Sequence, residues 1–214
     1  MVFTVSEKRP VREGMTVSRN AGLGSVNGVT WFSMGKGTSI SQESYDTPAL
    51  YLGAAGEADF LIGESPAAET TLKAGDFLYI PGRTLCGAES RQGAIYTEII
   101  LSKEIAMNNA VTARKAMKLK DLIAYEKGSI TNMDIVKNDT MKFVLMAFDE
   151  GTGLSSHRAP GNAIITALEG KAVIGYEGED YALAEGESFR FEKNGLHSVK
   201  ADGRFKMSLL LVLE

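Results

Sequence analysis

Cysteine and histidine are scarce in this sequence: Cys86, His157 and His197 are the whole supply in 214 residues. A lone cysteine excludes an internal disulfide framework and makes a reducing, cytoplasmic location the expectation. Two histidines are too few for an ordinary metal enzyme. Charge of one sign is missing too. A formal net charge of −4 leaves no basic footprint, so neither nucleic acid nor an anionic membrane is expected as a partner. No apolar run is long enough to span a bilayer, and the longest, "MSLLLVL", suits a buried strand. The opening "MVFTVSEKRPVREG" has no long apolar core, so no secretory leader is expected. The chain has no GxxxxGK[ST] phosphate loop, no GxGxxG opening a helix, no HExxH and no paired CxxC. Those absences remove the commonest nucleotide-binding, zinc-protease and zinc-ribbon readings.

Glycine and short apolar runs are plentiful. Twenty-three glycines punctuate segments such as "VTWFSM", "FLYIP", "AIYTEIIL", "KFVLMAF", "AVIGY", "SFRF" and "FKMSLLLVL". β-Branched and aromatic residues bounded by turns every eight to twelve positions predict many short strands. The stretch from 103 to 125, "KEIAMNNAVTARKAMKLKDLIAY", has no glycine or proline, and one or two short helices or turns are expected there.

The chain also repeats itself. An offset of 114 residues carries Gly14 onto Gly128, Gly37 onto Gly151 and Gly56 onto Gly170. Further on, "GDFLYIPGRTLCGAES" from Gly75 matches "GESFRFEKNGLHSVKA" from Gly186 at an offset of 111, and the difference falls in the loop holding "ESPAAETT". Two copies of one all-β domain are therefore predicted: 1–103, a linker at 104–116, and 117–214.

Within each copy the spacing resembles the cupin family. In the second copy Gly151, His157 and Gly170 stand where its first motif has a glycine, its first histidine and its closing glycine. Gly186, Glu192 and His197 stand at the glycine, proline and histidine places of its second motif. In the first copy Gly75, Pro81 and Cys86 fill those same three places. The closest likeness is to small bacterial cupins of unassigned function whose first motif reads His-x-Ala-Pro-Gly. The resemblance implies a bicupin: two tandem jelly-roll barrels joined by a partly helical linker, with dense contact between the halves and association of chains as a homodimer.

Cupin metal sites, by the same resemblance, use three histidines and a glutamate to hold Fe, Mn, Ni or Zn. Here Ala159 and Ala163 replace the second histidine and the glutamate, while the first copy offers Glu43, Tyr45, Ala49 and Cys86 at the four places. Two imidazoles fall short of the three or four donors that a stable site takes. His157 and His197 are therefore expected to point into the second barrel from facing walls. Ala159 and Ala163 would leave room beside them, and Glu192 is a candidate for an extra carboxylate. The expected role is binding a small organic molecule, with acid–base chemistry by the two histidines. Two alternatives stand beside it. One is a metal-dependent dioxygenase or sugar or keto-acid isomerase with an incomplete ligand set; the other is a degenerate structural or regulatory protein. Glu43, Tyr45 and Cys86 are expected near the first lumen. Cys86 reads as an inert, buried thiol unless a cation such as Arg83 activates it.

Overall fold

The computed structural model describes residues 1–24, 28–102, 105 and 107–213. Lys103, Glu104 and Ala106, around the start of the expected linker, lie outside the described residues. The chain divides into two compact units, Val5–Lys118 and Met1–Thr4 with Leu119–Glu214. Both are built almost wholly of antiparallel strands. Among the described residues helix is confined to one turn at Val5–Lys8 and a 3-10 turn at Leu119–Asp121, so the helical expectation for 103–125 reduces, for its described part, to that second turn. The segment lacks glycine, yet its apolar residues follow no helical period, and propensity alone does not hold a helix.

In the first unit the strands are β2 (Thr16–Asn20), β3 (Gly28–Met34), β4 (Thr38–Glu43), β5 (Ala49–Ile62), β6 (Ala68–Lys73), β7 (Asp76–Ile80), β8 (Cys86–Ser90), β9 (Ala94–Ile100) and β10 (Met117–Lys118). Their order is β10-β7-β5-β9-β3-β2, with β6 on β5 and β4 paired through β8 to β5. The second unit contains β1 (Val2–Phe3), β11 (Ile130–Lys137), β12 (Met141–Phe148), β13 (Gly153–Arg158), β14 (Asn162–Tyr176), β15 (Glu179–Ala184), β16 (Ser188–Phe191) and β17 (Leu196–Val212). Its order is β1-β16-β14-β17-β12-β11, with β15 on β14 and β13 on β17. One path describes both, except that β17 does the work of β8 and β9 together.

The irregularities recur along with the order. The long strand β5 carries a bulge between Gly53 and Ala55, and β14 one between Ala167 and Glu169. β4 shifts register between Ile40 and Glu43, and β13 between Leu154 and His157. Bulges bend a strand and let a sheet curl into a barrel. Backbone conformation repeats as well, even where the residue type does not. Arg83 and Asn194 both have left-handed φ, at 59° and 67°, and Gly63 at 92° is matched by Glu177 at 49°. Side chains other than glycine rarely sit there unless the surrounding structure demands it. At Gly56 and Gly170 glycine is required twice over. Each has positive φ, and a Cβ would collide with a backbone carbonyl, that of Gly93 or of Arg204.

Each unit buries its own core. Tyr51, Phe60, Leu78, Ala88 and Tyr96 belong to the first. Phe148, Phe189, Phe191, Val199 and Phe205 belong to the second. No helix among the described residues is long and apolar enough to cross a membrane.

Candidate functional site

His157 and His197 meet, but not from facing walls. They are direct cross-strand partners on the adjacent strands β13 and β17, and their ring centroids lie 4.2 Å apart at an interplanar angle of 54°. Directly opposed residues put their side chains on the same face of a sheet. That face is the inner one, because Val199 and Ala201, two and four residues beyond His197, are buried in the core. The pair sits at the rim of the barrel rather than deep inside it: His157 is exposed and His197 half-buried. The expectation of facing walls failed because β17 is 17 residues long and curls, pairing with β12 through its later half and with β13 through its start.

Each imidazole is oriented by its own backbone. Nδ1 of His157 lies 2.8 Å from the carbonyl oxygen of Ser155, and Nδ1 of His197 lies 3.1 Å from that of Gly195. A carbonyl only accepts, so Nδ1 carries a proton in both rings, and in the neutral form of each ring Nε2 holds the lone pair. Burial, followed by the neighbouring His157, holds His197 below the ordinary imidazole value, with the Gly195 carbonyl pulling the other way. At neutral pH His197 therefore offers a hydrogen-bond acceptor at Nε2 rather than a cation.

His197 is clamped from its other side by Phe191, whose ring centroid is 4.2 Å away. Tyr176 lies opposite His197 in the β14–β17 register, and its ring stands 5.7 Å from Phe191. In the sequence "SFRF" presents Phe191 and "AVIGY" presents Tyr176 only as strand residues, with nothing that marks either as a neighbour of His197. Ala159 and Ala163 are buried, each 2% exposed, within the hydrophobic core. Ala163 is the cross-strand partner of Phe191, the ring that reaches His197. The expected carboxylate does not join the pair. Glu192 is exposed and accepts a hydrogen bond at 2.8 Å from Nε of Arg190, two residues back along β16.

A metal would therefore find two imidazole donors here and methyl groups at the other two motif places. Among the described residues no three His, Cys, Asp or Glu side chains gather closely enough to hold an ion. The donor set does not fit the cupin metal centre.

The first unit holds a different cluster. Glu43 is the cross-strand partner of Cys86. On β9, Glu98 shares a face with the buried Tyr96 and sits opposite Tyr51 on β5. The Glu98 carboxylate accepts hydrogen bonds from the Tyr51 and Tyr45 hydroxyls. Burial raises Glu98 to about 6, Tyr51 pulls it back, and Glu43 raises it further. Burial also pushes the Cys86 thiol and the Tyr45 phenol up to about 12 each. Arg83 does not activate the thiol; it lies 3.9 Å from Asp46 in an exposed pair. Glu98, Tyr51 and Tyr96 were missed at the sequence level. The available signal was a single carboxylate inside the apolar run "AIYTEII".

Residues 144–213 match the family model described as "Cupin domain". The matched residues include both His157 and His197. Across the whole chain the structure is similar to a cupin 2 conserved barrel domain protein from Leptotrichia buccalis, with 24% identity, 99% of this chain and 96% of that one covered, and a TM-score of 0.84. It is also similar to a salicylate 1,2-dioxygenase variant from Pseudoaminobacter salicylatoxidans, at 14% identity, 99% and 83% coverage and a TM-score of 0.70. Oxalate decarboxylase from Bacillus subtilis, whose Mn(II) centres have been studied, matches at 13% identity, 99% and 77% coverage and a TM-score of 0.56. At such identities the likeness is one of fold. No curated protein sequence matches the chain.

Proposed function

We propose that the chain is a bicupin whose C-terminal barrel binds a small organic molecule at the His157–His197 pair. The observation that carries this reading is the pair itself: two tilted imidazoles 4.2 Å apart, both with Nδ1 committed to backbone carbonyls. Two Nε2 lone pairs on one inner face suit a ligand that donates hydrogen bonds from hydroxyl or N–H groups, and either ring can take up a proton from it. The recurrence of strand order, bulges and left-handed residues supports the bicupin part. The fold shared with a dioxygenase and a decarboxylase supports an enzymatic use of the barrel. The metal-dependent alternative has one observation in its favour. A backbone carbonyl on Nδ1 is also how a protein orients a metal-binding imidazole. It still needs donors from water or substrate, so the metal-free reading is preferred.

The chain's scarcity of histidine makes the test direct, because its NMR spectrum holds two imidazole Hε1 resonances. Gentisate, salicylate, oxalate and small polyols, then Mn(II) and Zn(II), are titrated one at a time. The reading expects an organic compound to move both resonances together, and His157→Ala or His197→Ala to abolish that response. A metal that perturbs both while no organic compound does so would replace this reading with the metal-dependent one. If no compound or metal moves both signals, the pair is structural.

A further inference from the structure

The Glu98 cluster goes beyond the C-terminal reading, because the second unit has nothing like it. Glu98 is paired with Tyr51, and Gly53 with Tyr96, across β5 and β9. In the second unit Ile165 pairs with Leu209, and Ala167 with Met207, across β14 and β17, in the same register past the same bulge. Where one barrel places aliphatic side chains, the other places a carboxylate between phenols. The cluster is reachable from solvent at one end. Tyr45 is 38% exposed, Glu43 is exposed, and Glu98 and Cys86 are half-buried, while Tyr51 and Tyr96 form a buried floor.

Nothing positive faces this carboxylate. The groups acting on Glu98 are the Tyr51 and Tyr45 hydroxyls and the Glu43 carboxylate. Neither Glu98 nor Glu43 enters an ion pair among the described residues, and three basic side chains of this unit are engaged elsewhere: Arg83 with Asp46, Arg91 with Asp59 and Glu69, Lys118 with Asp76. Moving a carboxylate out of water disfavours the fold unless a positive or hydrogen-bonding partner meets it. The two phenols supply hydrogen bonds but no charge. Aromatic faces surround the site as well. Tyr96 stacks on Phe32 at 5.2 Å and lies edge-on to Tyr51 at 6.0 Å, and Tyr51 tilts against Phe60 at 4.7 Å.

We infer that the N-terminal barrel is a second binding site, for an organic ammonium ion whose charge rests on Glu98 and Glu43 and whose carbon substituents lie against Tyr45, Tyr51 and Tyr96. A carboxylate bordered by electron-rich rings suits a soft, poorly hydrated cation. A divalent metal would need several oxygen, nitrogen or sulfur donors converging on one point, and Glu43, Cys86 and Glu98 do not converge. Proton and ammonium compete for the same carboxylate. Acidification below about 6, the value of Glu98, therefore weakens binding. Glu43, Tyr45, Tyr51, Tyr96 and Cys86 face it from the surrounding strands; the three phenols and the thiol are all pushed upward and stay uncharged across that range.

The test is calorimetric titration of the full chain with tetramethylammonium and benzyltrimethylammonium chloride, with sodium benzoate as the anion of similar size. At pH 7.5 both ammonium salts should bind saturably and benzoate should not. Glu98→Gln keeps the shape and removes the charge, and should weaken binding about tenfold to a hundredfold, the usual range for a lost charge-assisted contact. Tyr45→Phe alters only a hydroxyl at the exposed edge and should weaken it less, which keeps the site testable should Glu98→Gln fold poorly. His157→Ala should leave ammonium affinity unchanged, so this inference and the histidine reading fail independently. Absent saturation by either salt, equal affinity in Glu98→Gln, tighter binding of benzoate, or loss of binding in His157→Ala would each overturn it.

Discussion

Glu43 faces Cys86 across β4 and β8 just as His157 faces His197 across β13 and β17, each pair immediately beyond a register shift. The backbone is the same device used twice; the chemistry mounted on it is opposite. In the C-terminal barrel the polar groups stop at the rim, where two imidazoles stand above an apolar interior of Ala159, Ala163 and Phe191. In the N-terminal barrel polarity runs inward to Glu98, and the thiol and phenols around it hold their protons. A barrel's strand register decides where side chains converge, and the residue types alone decide what converges there.

The sharpest way to break this comparison is at the backbone the units share. Gly56→Ala and Gly170→Ala each force a side chain into left-handed φ and against a carbonyl. Each should cost about 1–3 kcal/mol, from strain and the collision together. Urea unfolding followed separately in the two units should show matched losses. A large loss in one and none in the other would mean that the repeated register does not reflect a repeated constraint.

The next effect separates the units by the sign of their pH dependence. Glu98 holds its proton more tightly in the folded state, at about 6 against an ordinary 4.5. Its contribution to stability is therefore complete below the ordinary value and is lost as pH rises through about 6. That loss is on the order of 1–2 kcal/mol. Glu98→Gln should remove it, read as a smaller difference between urea midpoints at pH 4 and pH 7.5. His197 has the reverse sign. Its folded value lies below the ordinary 6.5, so its contribution is present above that value and is lost on acidification. A Glu98→Gln variant whose midpoints still shift as the parent's do would remove the carboxylate from the account.

The smallest effect lies within the histidine pair. His197→Ala removes a ring packed against Phe191 and should cost about 1 kcal/mol; His157→Ala removes an exposed ring and should stay within about 0.5 kcal/mol. Equal losses in thermal unfolding would mean that the two rings are not divided between rim and interior.

Much of this was legible in the sequence. Gly37 and Gly151 announced their shared turns because positive φ, 71° and 77° here, selects glycine so strongly. Arg83 and Asn194 hid the same conformation behind ordinary side chains. The meeting of His157 and His197 could be read from motif spacing, yet the direction of approach could not, since it depends on how far β17 curls between its two partners. Glu192 lay at the right distance in sequence and was lost to Arg190, a choice of rotamer that no spacing encodes. Glu98 shows the opposite case. Its place in an apolar strand was visible, whereas Tyr45 and Tyr51, the groups that give it meaning, arrive from a loop and a strand some fifty residues earlier.

The two-residue strand β1 is where sequence order and spatial order part company. Val2 pairs with Phe189 and Phe3 with Ser188, so a strand that precedes the whole of Val5–Lys118 joins a sheet whose other members follow it. Contacts so distant in sequence close slowly. During translation β1 must wait through the whole of Val5–Lys118 before its partner exists. A fragment beginning at Leu119 would leave the β16 edge bare, its amide and carbonyl groups open to strand addition from another chain. The domain written last in the chain is completed by the residues written first.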